Sequence, residues 1–598
     1  MAAHRSGRTA DAEALYRKML RADAGNFSAL HMLGFLKAQQ GEFDEAAKLL
    51  SRALKARPGD PATLGHYANA LMMAGQLEEG MAVFDQVLNA NPQAVDALYN
   101  KGVILSELKR PVEALAQFDR ALALMPHAAN ILYSRGVVLA ALGRHQDALA
   151  NYDRALALQP DLTLALGNQA FAVLNLCDWP RLAQIARDTP VELVPPLTLL
   201  GYCSDKAKQL ASARAAIARR VPAPNPPLWR GERYSHDRIR LAYVSCDFND
   251  HAVGMQIAPL IAAHDRTRFE VIAISIGGGD DGVMRPRLQR AFDQFHDCAA
   301  MTAPDIARRM RELEVDIAID LGGHTDGARP EIFSWRPAAV QAAWLGYPGT
   351  TGADFMDYLI ADATVAPLEH QNFYSEKLVH LPDTFFPTDS ACPIGEAPTR
   401  AGEGLPQTGF VFCSFNAGWK ISAAIFDIWM RLLAAVPGSV LWLKQTNPAA
   451  RKNLEREAAA RQIDSARLVF AQPAPLARHL ARHALADVCL DTLRYNGHAT
   501  TAHALWGGTP VVTCKGEAFA GRVAASLLQA AGLPELITED LADYEALTLK
   551  LAREPDVLAA IKAKLAVNRA ITPLFDLDRF RHNIEAAYLA MLEGVSVR

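Results

Sequence analysis

Six residues, Asn496-Gly497-His498-Ala499-Thr500-Thr501, follow the apolar run ADVCLDT (486–492) and open an apolar helical stretch, AHALWGG (502–508). Glycine permits a sharp turn there. The two threonine hydroxyls and the first free amides of the helix then face the end of the strand. Beside the positive end of a helix dipole, that turn suits a diphosphate or another anion. A threonine-capped helix with no ligand has the same spacing, and the segments that follow, GGTPVVT (507–513), Gly516-Glu517 and GRVAAS (521–526), favour the anion site. A rival candidate fails: Gly277-Gly278-Gly279-Asp280-Asp281-Gly282 fits GxGxxG, but it follows the second apolar run and its aspartates would repel a pyrophosphate. It reads as a flexible loop, and a nicotinamide or flavin oxidoreductase loses its main support. The eight cysteines (177, 203, 246, 298, 392, 413, 489, 514) include no CxxC pair, so neither a zinc site nor a disulfide framework is expected. The lone DxD, Asp576-Leu577-Asp578, lies outside the strand-rich segments and does not argue for a metal.

The elements that must position the anion site alternate. IRLAYVS (239–245), FEVIAISI (269–276), VDIAIDL (315–321), VQAAWLG (340–346) and DYLIADA (357–363) are apolar runs separated by helical stretches. A second series comprises GFVFCSF (409–415), SVLWLKQ (439–445), RLVFAQ (467–472), ADVCLDT and TPVVTC (509–514). Near-continuous apolar strands with helices between them indicate buried parallel sheets. Two doubly wound, Rossmann-like α/β lobes are therefore expected, at 237–390 and 405–565, followed by helices over 566–598. Ligands would sit in the cleft at the carboxyl ends of the strands.

The first third repeats instead. Pro58, Pro92, Pro126 and Pro160 recur every 34 residues, in phase with Gly41/Gly75/Lys109/Gly143, Ala46/Gly80/Ala114/Ala148 and Leu54/Leu88/Leu122/Leu156. Two further columns are Gly34/Ala68/Gly102/Gly136 and Leu50/Phe84/Phe118/Tyr152. Small residues where helices cross, large ones between them and a proline ending the second helix make the tetratricopeptide pattern. Gly7, Ala12 and Leu20 continue it one period earlier, and 161–178 read as the first helix of one more unit. A helical tetratricopeptide solenoid with a concave groove is expected over 1–180, then a helical and proline-rich linker over 181–236 containing VPAPNPPLW (221–229). The inward row Met32, His66, Asn100, Ser134, Asn168 includes two asparagines, Asn100 and Asn168, able to hold the backbone of an extended peptide. The same row could equally be a solvated helix face.

Composition narrows the partners. A formal net charge of −4 supplies no basic field for nucleic acid or an acidic membrane. The most apolar stretch, 421–443, is broken by Asp427, Arg431 and Pro437, and no signal-peptide core precedes the repeats. Unpaired thiols and the lack of a leader suggest a soluble, cytoplasmic protein.

Longer motifs carry a resemblance: AYVSCDFNDH (242–251), QAAWLGYPGTTGADFMDYLIAD (341–362), YSEKLVHLP (374–382), FCSFNAGWKI (412–421), SVLWL (439–443), and ADVCLDT with NGHATT and GRVAAS. In these segments the chain resembles the O-GlcNAc transferase family in its short bacterial form. The resemblance implies a GT-B fold, inversion at the sugar, no metal or other cofactor, and UDP-N-acetylglucosamine as donor to protein Ser or Thr hydroxyls. It implies that Lys420 meets the diphosphate, where a fixed cation can stabilise charge on the leaving nucleotide. His498, Thr500 and Thr501, with Asn496 and Gly497, would share that grip. Ala474, His479 and Arg482 match positions around the nucleoside. Leu345, Gly346 and Pro348 match the sugar-pocket loop, and His324 sits at a neighbouring strand end. His251 lies on the acceptor side, a candidate proton acceptor together with Asp247 and Asp250.

Three positions depart from the animal members: Ala417 replaces a glutamine, Leu476 a lysine, and His503 a ribose-binding aspartate. Two rivals stay open. One is the same fold with another donor or acceptor, as in GDP-fucose O-fucosyltransferases or Asn-glucosyltransferases. The other is a tetratricopeptide scaffold whose nucleotide-binding half turns over poorly.

Overall fold

The computed structural model describes residues 8–279 and 282–595, in two compact units: one through Ala165, the other from Leu166 onward. Gly7, Asp280 and Asp281 lie outside the described residues.

In the first unit, helices of 13 and 14 residues alternate from Phe27–Gln39 and Phe43–Ala56 to Ala129–Ala141 and His145–Leu158. The columns pair as their sizes require. A Cβ on Gly34 would lie 2.7 Å from Leu50, one on Gly102 2.6 Å from Phe118 and one on Gly136 2.5 Å from Tyr152. Each first helix ends on a left-handed residue, at Gly41, Gly75 and Gly143 with φ of 80°, 79° and 72°. Lys109 adopts φ 58° at the fourth such position, so the turn is imposed by packing even where glycine is missing. In the inward row, Asn100 Nδ2 donates to Asn69 Oδ1 at 2.7 Å and His66 stacks on Phe35 at 4.6 Å.

The second unit begins with helices ending in Trp179–Asp188 and Lys206–Arg220. Asn168 lies in this unit, on helix Thr163–Asn175. The proline-rich stretch is irregular, and it is pinned rather than free: Leu228 and Trp229 amides donate to Trp335 and Arg336 carbonyls at 2.7 and 2.9 Å.

Two wholly parallel sheets follow. The first contains β1 (Ile239–Ser245), β2 (Phe269–Ser275), β3 (Gln294–Asp297), β4 (Ile317–Asp320), β5 (Val340–Ala343), β6 (Tyr358–Asp362) and β7 (Lys377–Leu381), in the order β3-β2-β1-β4-β5-β6-β7. The second contains β8 (Val411–Ser414), β9 (Val440–Lys444), β10 (Leu468–Ala471), β11 (Val488–Leu490), β12 (Val511–Cys514) and β13 (Ile537–Thr538), in the order β10-β9-β8-β11-β12-β13. Both orders reverse direction beside their first strand, which opens a crevice at the carboxyl ends of β1/β4 and of β8/β11. The central strands are buried on both faces, as the unbroken apolar runs require.

Helix Leu577–Val595 returns from beyond the second lobe to cover the first. Phe580 stacks on Trp344 at 6.2 Å. Beneath it, His264 Nδ1 donates to Glu585 Oε1 at 2.8 Å, and the Tyr243 hydroxyl joins His264 Nε2 at 2.8 Å and the Tyr588 hydroxyl at 2.9 Å. Burial pushes the His264 pKa down, leaving it neutral. Burial alone would raise Glu585, but hydrogen bonds from His264 and the Asp265 amide, with Arg581 nearby, hold it below the usual range. The DxD aspartates serve this helix: Asp576 caps it through the Arg579 amide and Asp578 pairs with Arg581.

Candidate active site

At the second lobe's crevice, β8 leads into a 3-10 turn, Gly418–Lys420, that delivers Lys420 to the loop after β11. Its Nζ donates to the Asn496 carbonyl at 2.9 Å and stands 4.0 Å over the Tyr495 ring. Burial lowers the ammonium pKa to about 7; Asp491 opposes the shift and Lys444 adds to it. Helical residues that precede the lobes brace the turn from behind. Cys177 Sγ lies 3.4 Å from the Gly418 carbonyl, and Trp179 Nε1 donates to the Ile421 carbonyl at 2.9 Å.

Asp491, just past β11, organises the opposite loop. Its carboxylate accepts from the Gly497 amide and the Thr513 hydroxyl, each at 2.6 Å. Burial raises its pKa to about 6 against those hydrogen bonds and Lys420. Gly497 has no room for a side chain, since a Cβ would lie 2.6 Å from Thr501 Oγ1 and 3.1 Å from Asn416 Oδ1. Asn496 turns its amide inward, donating to the Thr492 carbonyl at 2.7 Å, so only its carbonyl meets Lys420. His498 precedes helix Ala499–Trp506, stacks on Tyr495 at 4.7 Å and sets Nε2 3.3 Å from the Ala520 carbonyl. Burial, with Lys420 beside it, drives its pKa well below the ordinary value, so the neutral ring donates from Nε2. Thr500 and Thr501 occupy the first turn of that helix, at its positive end.

Farther along the edge, His479 on helix Leu476–Arg482 touches Phe415, His483 and His503 at centroid distances of 5.3, 5.2 and 5.7 Å. Arg482 turns into the protein, donating to the Gln472 carbonyl at 2.9 Å; what it holds is the loop carrying Ala474. A cavity of about 470 Å³ opens between the lobes, lined by Ala474, Leu476 and His503 on one side and Asp250, Met255 and Gln256 on the other. Two of the three departing positions therefore face one cavity.

The buried imidazoles make stability depend on pH. Burial lowers His324, His479 and His503 to about 4, 3 and 4. Each folded value lies below the unfolded one, near 6.5, so the folded chain binds fewer protons and loses stability as pH falls through 6.5. At pH 5 this costs about 2 kcal/mol per ring. Asp320 and Asp491, raised by burial to about 6, shift the other way and recover about 1.5 kcal/mol each over the same interval. The thermal midpoint should fall by several degrees between pH 7 and pH 5. A midpoint that holds or rises would show that these rings are not kept neutral.

On the first lobe, His251 follows β1 and caps helix Ala252–Ala263. Its Nδ1 lies 3.3 Å from the Val253 amide and 3.5 Å from Asp247 Oδ2, a carboxyl that burial raises. Asp250 is committed elsewhere, accepting from the Met284 amide at 2.8 Å. His324, after β4, donates from Nε2 to the Thr351 carbonyl at 2.7 Å. After β5, Leu345 adopts a left-handed φ of 76°, and a Cβ on Gly346 would lie 2.0 Å from the Leu321 carbonyl oxygen. That loop continues through Pro348 to Thr350 and Thr351, both held by the buried carboxylate of Glu376. Tyr347 packs with Tyr495, Ala520 and Leu200, so the loop after β5 in one lobe meets the Lys420 loop partner of the other. Gly346→Ala should lower kcat/KM at least tenfold with unchanged circular dichroism, because only the β5 loop must shift; wild-type kinetics would show that its path is unimportant.

His251, His324, Leu345, Gly346 and Pro348 thus follow carboxyl strand ends of the first lobe, and Lys420 and 496–501 those of the second. Asn100 belongs to the other unit. Asp491, Tyr495 and Glu376 were not singled out from the sequence, although an acid closing an apolar strand, as in ADVCLDT, was a usable signal. Trp179 gave none. Among the described residues, no group of three or more His, Cys, Asp or Glu side chains could hold a metal ion, and no helix is long and apolar enough to cross a membrane.

Residues 217–394 and 396–584 match the profile of glycosyl transferase family 41. The chain belongs to that family. Tetratricopeptide repeat profiles match 3–62, 37–102 and 93–161. Among family 41 relatives, the chain is 37% identical over 361 residues to the probable UDP-N-acetylglucosamine–peptide N-acetylglucosaminyltransferase SEC of Arabidopsis thaliana, a match covering 59% of this chain and 37% of that one. It is 30% identical over 475 residues to the UDP-N-acetylglucosamine–peptide N-acetylglucosaminyltransferase of Caenorhabditis elegans, covering 60% of this chain and 41% of the other. The matches span about two fifths of those relatives' length. A lysine-to-methionine mutant of the Thermobaculum terrenum O-GlcNAc transferase superposes with a TM-score of 0.67 at 30% identity, covering 90% of this chain and 98% of that one. The architecture, tetratricopeptide repeats followed by two parallel α/β lobes, is that of a GT-B family 41 protein.

Proposed function

We propose that the protein transfers N-acetylglucosamine from UDP-N-acetylglucosamine to Ser or Thr hydroxyls of proteins, with inversion and without a metal. The observation that carries this is the convergence of Lys420, His498 and the first turn of helix Ala499–Trp506 on one strand-end crevice of a family 41 lobe. The acceptor oxygen attacks the anomeric carbon as the bond to the β-phosphate oxygen breaks. The hydroxyl proton passes to a base, and UDP leaves with the electron pair. The Lys420 ammonium and the free helix amides stabilise the charge developing on UDP, a contribution that grows toward the transition state. Nδ1 of His251 accepts from the Val253 amide here; in the tautomer that instead donates Nδ1–H to Asp247, 3.5 Å away, the Nε2 lone pair is available as that base.

The cavity beside Ala474 and His503 suits the nucleoside, with His479 behind it. Repeats matched through residue 161 support recruitment of protein acceptors through the tetratricopeptide groove, with Asn100 as a backbone contact. Eight cysteines free of disulfides are in keeping with a cytoplasmic setting.

The test is hydrolysis and peptide transfer with a panel of nucleotide sugars in the presence of a chelator. UDP-N-acetylglucosamine should be preferred and chelation should change nothing. A second reading, the same chemistry with another donor, is favoured by Leu476 and His503 lining the cavity; preference for GDP-fucose or UDP-glucose would replace the first reading with it.

A further inference from the structure

We propose that Lys444 is a second cation for the phosphates of the donor nucleotide, an inference that rests on the nucleotide reading above. Lys444 is the last residue of β9, between the two strands whose loops carry Lys420 and His479. In register, Ser414 of β8 pairs with Leu443, so Lys444 lies one step beyond β8's last residue, level with the start of the loop that runs to Lys420. On the other side Lys444 pairs with Ala471, the last residue of β10, after which the chain passes Ala474 and enters the His479 helix.

The residues before it in β9, Val440 to Leu443, are all buried, and the lysine alone is exposed. As the last residue of β9 it stands at the carboxyl edge of the sheet, where the crevice opens. Just beyond it, Thr446 approaches the Lys420 turn closely enough that a Cβ on Gly418 would lie 3.1 Å from its hydroxyl.

The surroundings of Lys444 point to an anion. No carboxylate pairs with it among the described residues, whereas Lys515 and Lys562 on the same lobe each have one. Its charge reaches two groups of the proposed site, lowering the pKa values of both Lys420 and His479. Asp491, the acid beside Lys420, is already occupied by the Gly497 amide and the Thr513 hydroxyl. Two lysines from adjacent strand ends, next to the positive end of a helix, repel one another until an anion arrives. A nucleoside diphosphate lying from Lys420 toward His479 would pass Lys444 with its phosphates. A flexible point charge serves such a ligand without fixed geometry.

Titration calorimetry with UDP, UMP and uridine on wild type, Lys444→Met and Lys444→Arg tests this. Lys444→Met should weaken UDP and UMP about tenfold, leave uridine within twofold and flatten the salt dependence of UDP binding, while Lys444→Arg retains most of the affinity. UDP affinity unchanged in Lys444→Met would overturn the assignment while leaving the nucleotide reading intact. An equal loss for uridine and UDP would overturn it too, showing that the lysine only shapes the pocket. If wild type binds no UDP, the donor reading fails instead, and GDP, GMP and guanosine put Lys444 to the same comparison.

Discussion

Replacing Lys420 by alanine should lower kcat about a thousandfold, while UDP affinity falls less than tenfold. Removing one preorganised donor from a developing anion costs on the order of 10²–10³ in kcat. Here the donor is a charged group whose burial removes competing water. The ground-state diphosphate keeps the helix amides, which is why binding should outlast turnover. The pH profile supplies an independent sign. With the ammonium lowered to about 7 in the free protein, kcat/KM should fall as pH rises through 7 and Lys420 loses its proton. A bound diphosphate favours the charged form, so the corresponding limb in kcat should lie at higher pH. Equal losses of UDP affinity and kcat/KM in Lys420→Ala would show a binding lysine with no special role in the transition state. Single-turnover transfer to a peptide, measured beside calorimetry, separates the two.

The second large effect concerns stability. Glu585→Ala should destabilise the first lobe by about 3–5 kcal/mol, the cost of breaking a buried charged network from one side. His264 Nδ1 and the Asp265 amide would lose their acceptor, and Arg581 its buried partner. Glu585→Gln keeps an acceptor oxygen and should lose less than half as much. Hydrogen exchange on β1 and β2 reads the effect locally, because Tyr243 of β1 belongs to the same network. Protection there equal to wild type in Glu585→Ala would mean that the helix is held by its apolar contacts alone.

The architecture was legible because repeated burial leaves a repeated pattern. The 34-residue columns meet as small against large, Gly102 against Phe118 and Gly136 against Tyr152. Ten strands were readable as continuous apolar runs, since parallel strands are covered on both faces. The three that were missed lack that signal: β3 (QFHD) is half polar at the sheet edge, β7 (KLVHL) alternates at the opposite edge, and β13 is two residues long. At the site, the turn Asn496–Thr501 could be read from types and spacing. The inward rotation of the Asn496 and Arg482 side chains could not, because it depends on carbonyls at Thr492 and Gln472 that any residue would offer. The brace from Cys177 and Trp179 was hidden for another reason: it joins positions about 240 residues apart in sequence.

Helix Leu577–Val595 has a consequence for biosynthesis. The first lobe's last strand is complete at Leu381, yet the side chains that close it over Tyr243, His264 and Trp344 arrive about 200 residues later. At ribosomal rates of about 5–20 residues per second, that lobe waits roughly 10–40 s with one apolar face uncovered. Nascent chains stalled between the two lobes should therefore recruit chaperones more strongly than chains stalled after the helix has emerged.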